Sequence, residues 1–326
     1  MNAVKNLFVL YTGGTIGMLQ TPEGLAPASG FEVRMREQLD DQGMALDWHF
    51  QELLPLIDSA NMRQANWLAM RDAIVEAVRG HDGVLLLHGT DTLAYSAAAL
   101  AFLMLGLPVP VVLTGAMLPA GSEGSDAWPN LLGAVRSLQA GVAPGVHLFF
   151  NGELLHGARA SKLRSEAFDA FAVLPRPREG ERAGLIPAGL DYRTPRKPVN
   201  LAVLPLFPGL AASHVEALLG SGVQGLLLEC YGSGTGPSDD KALLDVLRAA
   251  HQRGVVLVAI SQCPAGHMQA GVYAAGSQLL ATGLVSAGGM TREAALGKLF
   301  ALLGAGLRQE EVEQWFAVDL CGEMVD

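Results

Sequence analysis

Short apolar runs alternate with stretches of helical periodicity along the chain. Residues 7–11 form a continuous β-prone run that stops at Thr12-Gly13-Gly14. Leu46, Trp48 and Phe50 alternate with Asp47, His49 and Gln51, the period of a strand buried on one face. Trp67, Met70, Ile74 and Val78 recur at helical spacing, so residues 62–79 predict a helix with Gly80 at its C-terminal cap. Residues 83–88 predict a strand, 91–105 a helix, and 109–114 and 146–150 two more strands. The alternation restarts beyond residue 200, with strands predicted over 201–206, 225–230 and 255–260. Helices are predicted there over 238–253, between Pro237 and Gly254, and over 291–303. Continuous apolar strands separated by helices predict an α/β fold with parallel sheets covered on both faces.

Length and composition sharpen this picture. A chain of 326 residues is comfortable for two domains. Half of it is hydrophobic and only 17% is charged, which excludes a disordered chain and predicts extensive burial. Residues 174–199 break the pattern with Pro175, Pro177, Pro187, Pro195 and Pro198 among Arg176, Arg178, Arg182 and Arg193. This reads as a polar, proline-stiffened crossing. The expected domains are residues 1–190 and 200–326, with 191–199 as the linker.

Charge and cysteine content remove several functional classes. Lys and Arg number 22 against 32 Asp and Glu, a net charge of -10 without the basic field of a nucleic-acid binder. Three cysteines are too few and too scattered for a disulfide framework. The apolar run 93–107, roughly 15 residues, falls short of the about 20 that a membrane span needs. The run 7–10 is too short for a signal-peptide core. The expected location is therefore cytoplasmic, with no membrane partner.

Three polar segments follow predicted strands, where open parallel sheets bind ligands. The first is Thr12-Gly13-Gly14-Thr15, either a glycine turn whose threonines satisfy local backbone groups or a site where backbone approaches a ligand. It lacks the spacing of a phosphate loop. The second is His88-Gly89-Thr90-Asp91-Thr92, in which Thr90 or Asp91 either caps the next helix or belongs to a site that uses the helix N-terminus. The third is Ser161-Lys162, where a lysine is either a solvated charge or, buried beside hydroxyls, a base. Together they supply hydroxyl nucleophiles, a carboxylate and an amine, a workable set for acyl transfer through a covalent ester. No Gly-x-Ser-x-Gly elbow occurs, and the eight histidines show no closely spaced metal-ligand pair.

Thr12-Gly13-Gly14-Thr15-Ile16 and His88-Gly89-Thr90-Asp91-Thr92 resemble the two signatures of the bacterial-type L-asparaginases. The resemblance continues through Asp58-Ser59, Thr114-Gly115-Ala116-Met117-Leu118-Pro119, Ser125-Asp126, Ser161-Lys162, Tyr231-Gly232-Ser233-Gly234 and Ser261-Gln262-Cys263. It spans nearly the whole chain in order, and its opening is similar to the cytoplasmic type I branch. The resemblance implies a larger N-terminal domain with a mainly parallel sheet, plus a smaller C-terminal α/β domain. It implies Thr15 as the nucleophile on the side-chain amide of L-asparagine. Thr90, Asp91 and Lys162 would form the second catalytic group, with Lys162 keeping Thr90 poised to relay a proton or activate water. Asp91 would also hold the substrate α-ammonium, and Ser59 with Asp58 the α-carboxylate. No metal or organic cofactor is implied. A homo-oligomer, dimer or tetramer, is.

Several positions depart from the family pattern. Within Thr21-Pro22-Glu23-Gly24-Leu25, Leu25 stands where many relatives carry a loop tyrosine that activates the nucleophile, and an alkyl group cannot relay a proton. Activation would then run through Thr90 and Lys162, or through Tyr11 or Thr12, or be weak. Thr235 replaces a frequent Asn. Glu229 lies where regulated relatives hold an effector through an Arg, and a carboxylate there is expected to remove or alter that control. Cys263 is expected as a small buried hydrophobe. Two alternatives accompany the asparaginase reading. One is an amidotransferase subunit acting with tRNA, against which the acidic balance and the lack of room for an N-terminal module argue. The other is a binding or sensor protein that kept the pocket and lost turnover.

Overall fold

The structure is a computed structural model that describes residues 3–22, 24–44, 46–177, 181–269 and 274–324. Glu23 and Arg178, named above, lie outside the described residues. The chain divides into two compact units, Met1–Val173 with Asp191–Arg193, and Leu174–Leu190 with Thr194–Asp326.

The first unit is built on a six-stranded sheet of β1 (Asn6–Gly13), β4 (Asp47–Ile57), β5 (Gly83–Leu87), β6 (Pro110–Thr114), β7 (Gly145–Phe150) and β8 (Glu153–His156). Its order is β4-β1-β5-β6-β7-β8, all parallel except the last pair. A small hairpin of β2 (Met18–Thr21) and β3 (Gly24–Pro27) follows β1. Another antiparallel pair joins β9 (Ala160–Lys162) to β10 (Phe171–Val173). The helices are α1 (Phe31–Asp41), α2 (Gln64–Ala77), α3 (Leu93–Leu103) and α4 (Ala127–Ala140). Strand pleating sends Leu7, Val9 and Tyr11 of β1 to one face, where they pack with Phe31, Met35 and Leu39 of α1 and Leu131, Val135 and Leu138 of α4. α3 is apolar nearly all round and buried along almost its whole length, as a helix enclosed by its unit must be.

Connectivity sets the functional end of this sheet. From β1 the chain crosses to β4 on one side, then returns to add β5, β6 and β7 on the other. The strand order therefore reverses beside β1, and the carboxyl ends of β1 and β5 border a topological switch point, where doubly wound sheets bind ligands. Register pairs Tyr11 with Leu87, so the loops opening at Thr12 and His88 emerge side by side.

The second unit carries the parallel sheet β11 (Leu201–Pro205), β12 (Gly225–Cys230), β13 (Val256–Ser261) and β14 (Val285–Ser286), in that order. Its helices are α5 (Ala212–Gly220), α6 (Lys241–Gln252), α7 (Ala274–Leu280), α8 (Arg292–Gly304) and α9 (Gln309–Phe316). Leu226, Leu228, Leu257 and Ala259 pack against Val215 and Leu219 of α5 and Leu243 and Leu247 of α6. Asp240 and Thr291 cap α6 and α8 by accepting from Leu243 N and Ala294 N. The fold class is as the sequence predicts: a mainly parallel sheet with helices in the larger N-terminal part, and a smaller C-terminal part with its own parallel sheet.

The structure corrects several local expectations. The stretch 174–199 is not uniformly solvated, because Arg176 and Arg196 are buried. Arg176 donates to the carbonyls of Met290 (2.7 Å) and Cys263 (2.7 Å), and Arg196 to those of Ala301 (2.9 Å) and Leu190 (3.0 Å). Stacked prolines and arginines resemble a linker, but here guanidinium forks satisfy carbonyls at chain turns. Cys263 is exposed and Cys230 is the buried thiol, its pKa pushed up to about 12 by burial. Glu229 is not a bare carboxylate: it is buried and holds Arg292 through both oxygens, one contact at 2.9 Å. The glycine-rich segment 231–236 is a turn closed on itself by Tyr231 N to Thr235 O (2.9 Å) and Gly234 N to Tyr231 O (2.9 Å). Among the described residues no helix is long and apolar enough to cross a membrane.

Candidate active site

The loops after β1 and β5 each carry a glycine that no other residue can replace without rearrangement. Gly14 has φ +86°, and a Cβ there would lie 2.3 Å from Gly89 N. Gly89 in turn packs on Ser59, where a Cβ would lie 2.5 Å from Oγ. The ends of β1 and β5 thus touch backbone to backbone, with the Ser59 side chain after β4 filling the space over Gly89, which is the physical need behind glycine in both signatures. Gly14→Ala combines a left-handed backbone with this clash. We expect it to lower turnover by at least about 10²-fold, since displacing a reacting group by ~1 Å costs that much, as read in an ammonia-release assay on folded protein.

These loops wall a cavity of about 200 Å³ together with the segment around β9. Its lining includes Gly14, Thr15, Asp58, Ser59, Gly89, Thr90, Asp91 and Lys162. All six residues singled out in the sequence, Thr15, Asp58, Ser59, Thr90, Asp91 and Lys162, therefore meet at one site within the first unit. The volume lies below the ~300–1,000 Å³ of pockets for drug-sized ligands, a scale that suits a molecule the size of an amino acid.

Thr90 and Asp91 are not capping residues. The capping positions of this turn are Gly89 and Thr92, and Thr92 Oγ1 donates to Ser59 O instead (2.9 Å). Lys162 Nζ reaches both side chains, donating to Thr90 Oγ1 at 3.0 Å and to Asp91 Oδ1 at 2.8 Å. The Lys162 side chain is 19% exposed and that of Asp91 62%, so the amine is drawn in while the carboxylate faces the opening. Thr15 Oγ1 makes no hydrogen bond among the described residues. Asp58 is exposed and accepts from Ala60 N (3.2 Å), and Ser59 is buried beside it.

The hydroxyls offered as substitutes for a loop tyrosine are engaged elsewhere. Thr12 Oγ1 donates to Leu87 O at 2.9 Å, a contact between strands rather than a local turn bond. Tyr11 OH donates to Ala28 O at 3.2 Å, and burial pushes its pKa up to about 12. Neither lines the cavity, and Leu25 is half exposed on the β2–β3 hairpin, also outside the lining.

Behind the site two buried polar groups hold the loops. Both Asp126 oxygens accept from Met117 N (3.0 and 2.9 Å), and one also from Leu118 N (3.0 Å). Asn130 donates to Gly115 O (3.0 Å) and accepts from Asn151 N (2.8 Å). This fixes the segment that presents Met117 to the cavity. His88 is fully buried, and burial lowers its pKa to about 4. A histidine neutral in the fold and protonated in the unfolded chain loses stability as pH falls from its ordinary 6.5 toward 4. Relative to His88→Asn, the wild type is expected to lose about 2 kcal/mol of unfolding free energy between pH 7 and pH 5, measured by urea denaturation at both values.

Sequence reasoning did not anticipate Met18 and Ser165 in the cavity wall. Ser165 follows Lys162 in an irregular stretch with no periodicity to mark it. Asp126 and Asn130 gave no sign of their roles, because a buried acceptor of backbone N–H groups looks like any helix-start acid.

Two hydroxyls from separate strand-end loops, one of them bonded to an amine that also holds a carboxylate, thus line one cavity at the switch point of a parallel sheet. Comparison with known proteins shows the family. The family models "Asparaginase, N-terminal" and "Glutaminase/Asparaginase C-terminal domain" match residues 6–184 and 200–316. L-asparaginase 1 of Escherichia coli is 34% identical over 98% of this chain and 98% of its own. The human 60 kDa lysophospholipase is 34% identical over 98% of this chain, which spans 61% of that protein. The crystal structure of L-asparaginase I from Vibrio cholerae superposes with TM-score 0.86 at 33% identity, over 99% of this chain and 100% of that one. The chain belongs to the asparaginase family, on the side of its type I members.

Proposed function

We propose that the protein is an L-asparaginase that converts L-asparagine and water to L-aspartate and ammonia. The observation that carries this reading is the Lys162 amine bridging Thr90 and Asp91 in the same small cavity that Thr15 lines. Thr15 Oγ1 attacks the side-chain carbonyl carbon, and backbone donors around Thr90 stabilise the tetrahedral oxyanion. The hydroxyl proton of Thr15 ends on the departing nitrogen, which leaves as ammonia, and an aspartyl ester remains on Thr15. Water then attacks that ester and passes a proton to Thr90 Oγ1, which Lys162 Nζ holds in place by its hydrogen bond, while the Thr90 hydroxyl proton passes to Thr15 Oγ1 as the ester bond breaks. The second water proton stays on the new carboxyl and is lost to solvent as aspartate departs. The Asp91 carboxylate, turned toward the opening, receives the substrate α-ammonium by a charge-assisted hydrogen bond. Ser59, with Asp58 beside it, helps to bind the α-carboxylate.

With Leu25 outside the cavity and Tyr11 and Thr12 engaged elsewhere, activation of Thr15 falls to Thr90 and Lys162. The unbonded Thr15 Oγ1 is the one observation that favours the second reading, binding without turnover. We also propose a cytoplasmic location and a homo-oligomer, dimer or tetramer, readings that the family resemblance supports. A steady-state ammonia assay on L-asparagine, D-asparagine and L-glutamine tests the reading. Turnover is expected on L-asparagine, with glutamine set apart by one methylene, worth about 1–3 kcal/mol. Asparagine binding by calorimetry with no ammonia from any of the three would replace the enzyme with a binding protein.

A further inference from the structure

The buried side of the second signature contains a hydrogen-bond chain with one consistent proton arrangement. His88 Nδ1 lies 2.7 Å from Gly89 O, and His88 Nε2 lies 2.8 Å from Ser96 Oγ on α3. Ser96 Oγ also accepts from Trp67 Nε1 of α2 at 2.9 Å. A carbonyl only accepts and an indole only donates. Nδ1 must therefore carry the proton that Gly89 O receives. Nε2 is then an acceptor, and Ser96 supplies it with the hydroxyl proton left over after accepting from Trp67. The other tautomer would face a lone pair on Nδ1 against the Gly89 carbonyl, an acceptor against an acceptor at 2.7 Å. His88 and Ser96 are both fully buried, so no water relieves such a mismatch.

The anchored carbonyl belongs to the peptide that joins Gly89 to Thr90. That peptide is trans, since the cis bond found among the described residues is Leu54–Pro55. In a trans peptide the C=O and N–H point in opposite directions. With its carbonyl turned to the buried imidazole, the Thr90 N–H is turned away from it, and Gly89 and Thr90 both line the cavity. Among the described residues Thr90 N–H donates to no acceptor. We propose that His88 is a positioning residue of this site: its Nδ1–H, locked by Ser96 and Trp67, holds the Gly89–Thr90 peptide so that Thr90 N–H is presented to the oxyanion. The proposal rests on the acyl-transfer reading above and assigns one of its oxyanion donors.

Two substitutions separate the ring nitrogens. The asparagine side-chain amide overlays the Nδ1 side of the imidazole, so His88→Asn keeps the donor to Gly89 O and loses the Ser96 contact. Glutamine reaches the Nε2 position, so His88→Gln keeps a partner for Ser96 and loses the donor to Gly89. Removing an oxyanion donor costs about 10²–10³-fold in kcat. We expect His88→Gln to lose about 10²-fold in kcat with KM changed far less, and His88→Asn to stay within about tenfold of wild type. A residue that merely fills space would give the two variants equal kcat, in step with their thermal stability, and that result overturns the proposal. ¹⁵N NMR of the wild-type histidines gives a second measurement that needs no turnover. A neutral Nδ1–H tautomer for His88 at pH 7 is expected, and an Nε2–H tautomer overturns the assignment even if the wild type proves inactive on L-asparagine. An inactive wild type with the Nδ1–H tautomer overturns the asparaginase reading and leaves the tautomer assignment standing.

Discussion

Lys162→Met is expected to lower kcat on L-asparagine by roughly 10²–10⁴-fold, the range for losing a positioned proton-transfer group, while leaving the fold in place. The asymmetry comes from where its two contacts lie. Lys162 holds Thr90 Oγ1 at 3.0 Å inside the cavity, so its loss frees the hydroxyl that the hydrolytic water needs. Its other contact, to Asp91, is largely solvent-exposed on the carboxylate side, and ion pairs of that kind contribute about 0–1 kcal/mol. Thermal denaturation of the variant should therefore lie close to wild type. Lys162→Arg is expected to be no rescue, because a planar guanidinium does not reproduce a compact three-donor ammonium between Thr90 and Asp91. A loss below tenfold in Lys162→Met would remove the amine from the chemistry.

Thr15→Ala has the larger expected effect, a fall of roughly 10⁴- to 10⁶-fold in kcat, the scale seen when a covalent nucleophile is deleted. Thr15 is partly exposed at the cavity wall and its Oγ1 bonds to no described residue, so the substitution removes no structural hydrogen bond. Substrate binding should persist, because Asp58, Ser59 and Asp91 are untouched, and calorimetry with L-asparagine reads it directly. Thr15→Ser keeps the reacting oxygen and is expected to retain measurable turnover. Loss of both binding and turnover in Thr15→Ala would mean that the hydroxyl serves recognition rather than attack.

The elements that carry the site were legible because their signals are local. The apolar runs of β1, β5 and β6 are continuous and stop at glycine or polar residues, so their carboxyl ends were located to within a residue or two. The two glycine-flanked hydroxyl segments follow from that placement, and their adjacency follows from β1 pairing with β5. Helices α1 and α4 were less visible. α4 contains Pro129 and Gly133, both helix breakers by propensity, and Gly133 is there because the Phe149 ring occupies the space of a Cβ, 2.2 Å away. The residues alone also did not separate Thr12 from Thr15, which only the family resemblance singled out. Both are hydroxyls beside glycines, and only the neighbouring strand shows that Thr12 is tied to Leu87 O. Arg176 misled for a similar reason: the Ser261 and Met290 carbonyls that it satisfies are 85 and 114 residues away in sequence.

The account depends most on an ester forming at Thr15, and acid-quenched mass spectrometry during the first turnover with L-asparagine reads that bond. The expected spectrum shows the chain heavier by one aspartyl group, with the added mass on the peptide that contains Thr15 and absent from Thr15→Ala. An aspartyl adduct mapped to Thr90 instead, or ammonia release by folded Thr15→Ala at the wild-type rate, would contradict it.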